Sequence, residues 1–423
     1  MPRPEQPTPE EPTTVDSTRL EHASETATGG TDRQGSLRLV LILGALSAFG
    51  PLSLDMYLPG LPQLAADFHT SDSAAQLTLT SCLIGLSLGQ LLAGPLADRW
   101  GRRRPLLIGL AAYAAASVLC ALAPSVTALT GLRMVQGLAG GAGIVISRAV
   151  VSDLYQGVAA ARFFSLLMLV NGSAPILAPL FGGQLLRITD WRGVFVALSV
   201  IGCALTAAAT LGLRETLPPT ERRAGGLGDT LRTMGTLLRD RAFVGYALSG
   251  GFALAAMFAY ISGSSFVLQS VYGLSAQTFS LVFGANALGI VALGQLNTVL
   301  LRRFTVETLL RAGLALSAAG GLGLLASVHF GWGLPGVLAG LFVLVSSIGL
   351  IGPNGTARAM DGHAGRRGAA SALVGLLQYG AGGLAAPLVG LGGSGTALPM
   401  AVVAASFAVA GVLTYALLVR QRA

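Results

Sequence analysis

Twelve stretches of this 423-residue chain are apolar over enough residues to cross a bilayer, for which a helix needs about 20. They fall near 37–58, 76–97, 106–123, 129–151, 163–186, 193–213, 243–268, 277–301, 307–328, 336–359, 369–391 and 398–419. In hydrocarbon, backbone N–H and C=O groups have to be satisfied inside the protein, and a helix does this within each segment. The pattern therefore predicts an all-α integral membrane protein of twelve transmembrane helices. Charged residues make up only 11% of the chain, against roughly 25% in a soluble domain. Its 58 glycines suit helices that approach one another closely.

The net charge of +8 comes entirely from arginine, since the chain has no lysine. These arginines lie in short clusters between apolar stretches, so they report topology rather than nucleic-acid binding. With both termini cytoplasmic, 22 of the 27 fall on the inner side. The outer loops hold only Arg187 and Arg192, a strong positive-inside bias. The bacterial cytoplasmic membrane is the expected location. Residues 1–36 carry seven acids against Arg3, Arg19 and Arg33 and lack an apolar core, which predicts a disordered cytoplasmic tail and no signal peptide. Cys82, Cys120 and Cys203 sit inside apolar spans as free thiols, without disulfide or metal-ligand spacing. No metal or cofactor is expected.

The polar stretch from Arg214 to Arg241 divides the spans six and six. It predicts a first bundle over 37–213, a linker over 214–242 and a second bundle over 243–423. Leu88-Gly89-Gln90-Leu91 recurs as Leu293-Gly294-Gln295-Leu296, and Ala178-Pro179-Leu180 as Ala386-Pro387-Leu388. The offsets of 205 and 208 residues imply two pseudo-symmetric six-helix bundles. Transporters often bind substrate between such halves.

Asp55 lies at the far end of the first span, where a charge costs roughly 2.5–3.5 kcal/mol on insertion scales. Arg133, in the fourth span, is expected at a similar depth. Two readings stand for it: pairing with Asp55, since either charge alone is expensive, or reaching to the outer interface. The position matching Asp55 in the second half is Tyr260, which concentrates proton chemistry in the first. Glu307 and Arg311 open the ninth span as a local i, i+4 pair. Tyr57, Gln136, Asn171, Tyr260, Asn286, Gln378 and Tyr379 are polar or aromatic groups within spans. Each is either a helix–helix hydrogen bond or a substrate contact, and as a set they are expected between the halves.

Between the second and third spans runs Gly94-Pro95-Leu96-Ala97-Asp98-Arg99-Trp100-Gly101-Arg102-Arg103-Arg104. This loop resembles the signature of the major facilitator superfamily. Over about 37–420 the chain resembles one branch of it, the bicyclomycin and chloramphenicol resistance exporters. The residues that carry this are Leu54-Asp55-Met56-Tyr57-Leu58-Pro59, Arg133-Met134-Val135-Gln136-Gly137, the run Ala174 to Gly183, Asp190-Trp191-Arg192 and Glu215-Thr216-Leu217-Pro218-Pro219. The resemblance implies a monomeric drug/proton antiporter whose partners are a small-molecule substrate, protons and lipid.

It also implies roles. Asp55 would carry the proton with Arg133 beside it. Gly94, Asp98, Arg99, Gly101, Arg102, Arg103 and Asp153 would form a conformational latch, with Asp98 facing the start of the eleventh span and Arg102 reaching Asp153. Ser152 stands where the family often has arginine. Pro175, Ala178, Pro179, Gly182 and Gly183 match the antiporter motif, with Ala178 where glycine is usual; the other reading is a kinked packing helix. A proton-coupled importer of a small nutrient is the alternative function. The chain has no phosphate-binding loop for ATP and no convergent catalytic cluster, so an enzyme is not expected.

Overall fold

In a computed structural model of the chain, residues 39, 41–155, 157–222, 227–361, 367–393 and 395–419 are described. The expected tail over 1–36 lies outside them, as do four residues of the linker. The described secondary structure is helical, with no strand among the described residues. Ten helices are long and apolar enough to cross a membrane, and a bent pair, Leu41–Ser47 with Phe49–Asp67, makes the first span at 44°. Gly157–Leu185, 29 residues long, takes the fifth place and completes twelve.

The second to fourth spans are Asp72–Trp100, Arg103–Ala121 and Val126–Leu154. Trp191–Gly212 is the sixth. The amphipathic linker helix Leu227–Leu237 follows. The seventh, Arg241–Phe266, runs into a π turn over Val267–Val271. Ala276–Leu300 and Val306–His329 are the eighth and ninth. The tenth is broken at Ser347 into Gly333–Ser346 and Ile348–Met360. Arg367–Leu391 and Leu398–Leu418 end the chain. Side-chain caps open several spans: Ser71, Ser125, Asp190, Asp240, Ser275 and Thr305 each accept from backbone N–H groups two or three residues on.

The first span continues to Asp67, beyond the expected end at 58. Pro59 and Pro62 look like terminators, but each falls in the first turn of a short helix, Leu58–Gly60 or Leu61–Asp67. There the missing N–H is not needed. The far end is tied to the sixth span: Trp191 Nε1 donates to Asp67 at 3.1 Å, and Arg192 pairs with the same carboxylate.

Glycines set the closest approach, between the second and fourth spans. A Cβ on Gly85, Gly89, Gly137 or Gly141 would collide with the carbonyls of Met134, Leu138, Cys82 or Leu86 respectively. Between the halves, the second span packs on the eleventh and the fifth on the eighth. Adding six places to each member of one pair gives the other, which is the pseudo-two-fold relation. The arginine-poor end of the bundle carries Asp67 and Arg192; the arginine-rich end carries Gly101 and Glu307.

Gly137→Val is expected to lower stability by about 1–3 kcal/mol through overpacking against a backbone that cannot yield. Gly375→Ala, at a glycine with open space around it, is expected to leave stability unchanged or raise it slightly. Thermal unfolding in detergent, followed by exposure of the buried thiols of Cys82 and Cys120, measures both.

Candidate functional site

A cavity of about 210 Å³ lies between the halves. Its walls come from the first, second, fourth, fifth, seventh, eighth, tenth and eleventh spans, while the third, sixth, ninth and twelfth stay outside. Most of the wall is aliphatic or aromatic. Asp55 is its one charged residue among the described residues, and Gln90, Tyr260, Asn286 and Tyr379 are its polar ones. Asp55 ends the helix Phe49–Asp55 and is 6% exposed. Its carboxylate has no hydrogen bond or ion pair among the described residues. In the facing wall, Asn286 Nδ2 donates to the Tyr260 hydroxyl at 3.0 Å, and the Tyr260 ring stacks on Phe283 at 5.3 Å.

Arg133 neither pairs with Asp55 nor reaches the interface. It is fully buried and outside the cavity wall that Asp55 lines. Nη1 donates to Gln136 Oε1 at 2.6 Å and Nη2 to the Ser53 carbonyl at 2.7 Å. The guanidinium lies 4.5 Å over the Tyr57 ring and 5.5 Å from the Phe195 centroid. Carbonyl, amide and ring faces thus replace the expected carboxylate, a cation–π arrangement that gains strength when desolvated. Arg133 grips the first span two residues before Asp55.

The expected cavity set separates accordingly. Tyr260, Asn286 and Tyr379 line the cavity. Tyr57 and Gln136 do not: Tyr57 OH bonds Thr78 Oγ1 at 2.5 Å, and Gln136 Nε2 donates to Ser117 Oγ at 2.7 Å. Both serve the Arg133 network. Gln378 is half-buried beside Gly250, away from the cavity wall. The side chain of Asn171 lies outside the described residues. Gln90, Met257, Phe258 and Phe283 were not singled out from sequence, although Gln90 sits in the Leu-Gly-Gln-Leu repeat that marked the duplication. In the fifth span, Pro175 lines the cavity and Ala178 is buried. Pro179 lies within the helix. Gly182 and Gly183 let the helix approach Met56 and Ser280.

At the arginine-rich end, Arg102 Nε donates to Asp153 at 2.9 Å and Nη1 to Asp98 at 2.5 Å. Asp98 thus pairs with Arg102 of its own loop; the residues before the eleventh span that it was expected to face lie largely outside the described ones. Arg103 holds the carbonyls of Leu213 and Thr210 at 3.0 and 2.9 Å. Arg99 is exposed, and Gly94 has open space around it. Gly101, at φ 89°, closes the second span in a conformation that side chains resist. A Cβ there would strike Glu215. Glu215 is the unforeseen member: it accepts from the backbone N–H groups of Arg102 at 2.7 Å and Arg103 at 3.2 Å.

The second half carries a matching cluster. Glu307 accepts from Tyr246 OH at 2.9 Å and Arg358 Nε at 3.0 Å, and it bonds the Tyr415 hydroxyl. Arg311, the expected partner, stands at 3.9 Å as a minor contributor. The 205-residue offset sends Arg102 to Glu307 and Asp153 to Arg358. The same ion pair thus recurs with its polarity reversed, so matching residue types between the halves does not reveal it.

Twelve spans in two like halves around a shared cavity define a multi-pass membrane transporter, not an enzyme. The family model described as Major Facilitator Superfamily matches residues 43–387. A Bacillus subtilis (strain 168) protein named uncharacterized MFS-type transporter YdgK is 40% identical over 392 residues, 91% of this chain and 96% of that protein. The chloramphenicol resistance protein of Pseudomonas aeruginosa is 32% identical over 77% of this chain and 78% of its own. The bicyclomycin resistance protein homolog of Haemophilus influenzae is 29% identical over 89% and 94%. The fold matches a bacterial homolog of the human lysosomal transporter Spinster, in an inward-facing and occupied conformation, at a TM-score of 0.71 and 16% identity over 93% of this chain and 98% of that one. The chain belongs to the major facilitator superfamily, and the resemblance to its bicyclomycin and chloramphenicol resistance branch holds across these relatives.

Partial burial works against the charge on Glu215, but the N–H groups of Arg102, Leu217 and Arg103 outweigh it and hold the carboxyl below the usual glutamate range. Its contribution is then complete above about pH 4.3 and lost as pH falls through the lower folded value. Cleavage of the 213–222 segment by an acid protease is expected to accelerate as pH falls through that lowered value, and Glu215→Gln is expected to remove that step.

Glu307→Arg or Arg358→Glu alone is expected to cost about 1–2 kcal/mol of stability, since the pair is partly exposed. The double exchange is expected to recover most of it in detergent thermal unfolding.

Proposed function

We propose that the chain is a proton-coupled antiporter that exports small, largely apolar organic compounds by alternating access between its two halves. The observation that carries this reading is the unpaired Asp55 carboxylate in the wall of an otherwise uncharged cavity. A carboxylate there is the group able to take up a proton and release it as the cavity changes face. One proton's charge supplies about 2.3 kcal/mol per 100 mV, enough to sustain roughly a 40-fold gradient.

Relatives named for chloramphenicol, bicyclomycin and multidrug resistance support drugs as the cargo class. Aromatic and aliphatic walls suit such compounds, with Tyr260, Asn286 and Tyr379 as their polar contacts. Arginine placement supports an arginine-rich end and both termini in the cytoplasm of a bacterial cell membrane. On this reading residues 1–36 are a cytoplasmic tail, and 37–213 and 243–423 are the moving halves joined by 214–242. One chain supplies the whole cavity and works as a monomer. The cluster of Asp98, Arg102 and Asp153 with Gly94, Arg99, Gly101 and Arg103 serves as the latch at the cytoplasmic end. Pro175, Ala178, Pro179, Gly182 and Gly183 shape the packing of the fifth span on the other half.

Everted membrane vesicles with an acid interior are expected to accumulate chloramphenicol when they carry the wild-type chain. Asp55→Asn is expected to abolish that accumulation while leaving energy-independent counterflow intact. Accumulation by Asp55→Asn under the same pH gradient would falsify the assignment of the proton site.

A further inference from the structure

The first span breaks immediately after Asp55. The helix Phe49–Asp55 gives way to a turn at Met56 and Tyr57, then to Leu58–Gly60 and Leu61–Asp67. Pro59 and Pro62 have no N–H, which removes the helical donors for the carbonyls of Asp55 and Leu58. A carbonyl freed at this depth requires another partner. The second half adds donors at this break: Ser265 Oγ donates at 2.5 Å to the Leu58 carbonyl, which keeps only a tight-turn bond from the Leu61 N–H, and Gln269 Nε2 donates to the Pro59 carbonyl at 3.2 Å. Gln269 also bonds Ser265 Oγ at 2.9 Å, so the two act as one unit.

Both donors are on the seventh span, one turn apart, and Gln269 lies within the π turn Val267–Val271. Turns of this kind are rare and are often found at functional sites. Ser265 and Leu58 are fully buried. A third bond crosses the halves nearby, from Gln277 Nε2 to the Gly183 carbonyl at 3.0 Å. These contacts close the arginine-poor end of the cavity. The segment from Ser53 to Pro59 is consequently held on two sides, by Arg133 of its own half and by Ser265 and Gln269 of the other. Asp55 lies between the two grips.

We infer that Ser265 and Gln269 are positioning residues that tie the state of Asp55 to closure of the arginine-poor end. Separation of the halves there has to release the carbonyls three and four residues beyond Asp55, so the gate and the proton site move as one segment. The inference rests on the proton role given above to Asp55, and it adds two residues with no charge of their own to the coupling.

The test uses the full chain in proteoliposomes without substrate, under an imposed pH gradient, with proton entry read by an internal pH dye. Ser265→Ala/Gln269→Met removes both donors at nearly constant volume and is expected to leak protons roughly tenfold faster than wild type. Ser265→Thr, which keeps the hydroxyl, is expected to stay as tight as wild type. Should the double variant fail to fold, Gln269→Met alone, at a half-buried position, is expected to leak more than wild type. Adding Asp55→Asn to the leaking variant is expected to stop the leak. A folded variant as tight as wild type overturns the grip and leaves the proton role of Asp55 standing. A leak that persists with Asp55→Asn overturns the coupling together with the proton reading on which it rests.

Discussion

The structure depends on the rule that no backbone polar group in a membrane interior goes without a partner. Most spans meet it by staying helical. The first span does not, because Pro59 and Pro62 interrupt its ladder next to the one charged residue of the cavity wall. Side chains from the fourth and seventh spans donate to carbonyls on either side of the break, at Ser53, Leu58 and Pro59. An irregular segment of this kind is tolerated where it lines a cavity and is enclosed by protein. The broken helix, the buried guanidinium and the contact between the halves are thus one arrangement.

Away from the cavity, each half is fastened at its arginine-rich end by an ion pair joining two neighbouring spans. Arg102 with Asp153 does this in the first half, and Arg358 with Glu307 in the second. Reversal of polarity between them shows that geometry, and not the sign of a given position, is what the duplicated fold requires. Glu215 makes the first of these more than a pair, since it caps the loop's N–H groups and fixes where the linker begins. The other end of the linker is anchored separately: Met234 and Leu237 bury themselves among side chains of the second half such as Phe243 and Leu373. The linker therefore spans the two halves from one fastened loop to one apolar cluster.

Much of this was legible in the sequence. Length and hydropathy gave the spans, arginine placement the two ends, and the repeated Leu-Gly-Gln-Leu the duplication. Asp55 stood out because a charge in an apolar run is costly. What escaped was decided by direction. Equal depth for Asp55 and Arg133 suggested a pair, but Arg133 lies outside the cavity wall that Asp55 lines, and sequence does not show which way a side chain leaves a broken span. Polarity alone left Tyr57 and Gln136 open between a helix–helix bond and a cavity contact; they bond between helices, satisfying Arg133 and its neighbours. Of the cluster around Glu307 only the local i, i+4 contact is legible, because Tyr246, Arg358 and Tyr415 are 51 to 108 residues away, beyond the reach of any local pattern.

On the proposed mechanism, a single cavity carboxylate, held between the halves without a counter-ion, exchanges its proton for cargo. Proton release on addition of chloramphenicol to the detergent-solubilised chain in weakly buffered solution measures this directly. Release is expected from the wild-type chain, about one proton for each molecule bound, and none from Asp55→Asn that still binds the compound. Equal release from both would contradict it.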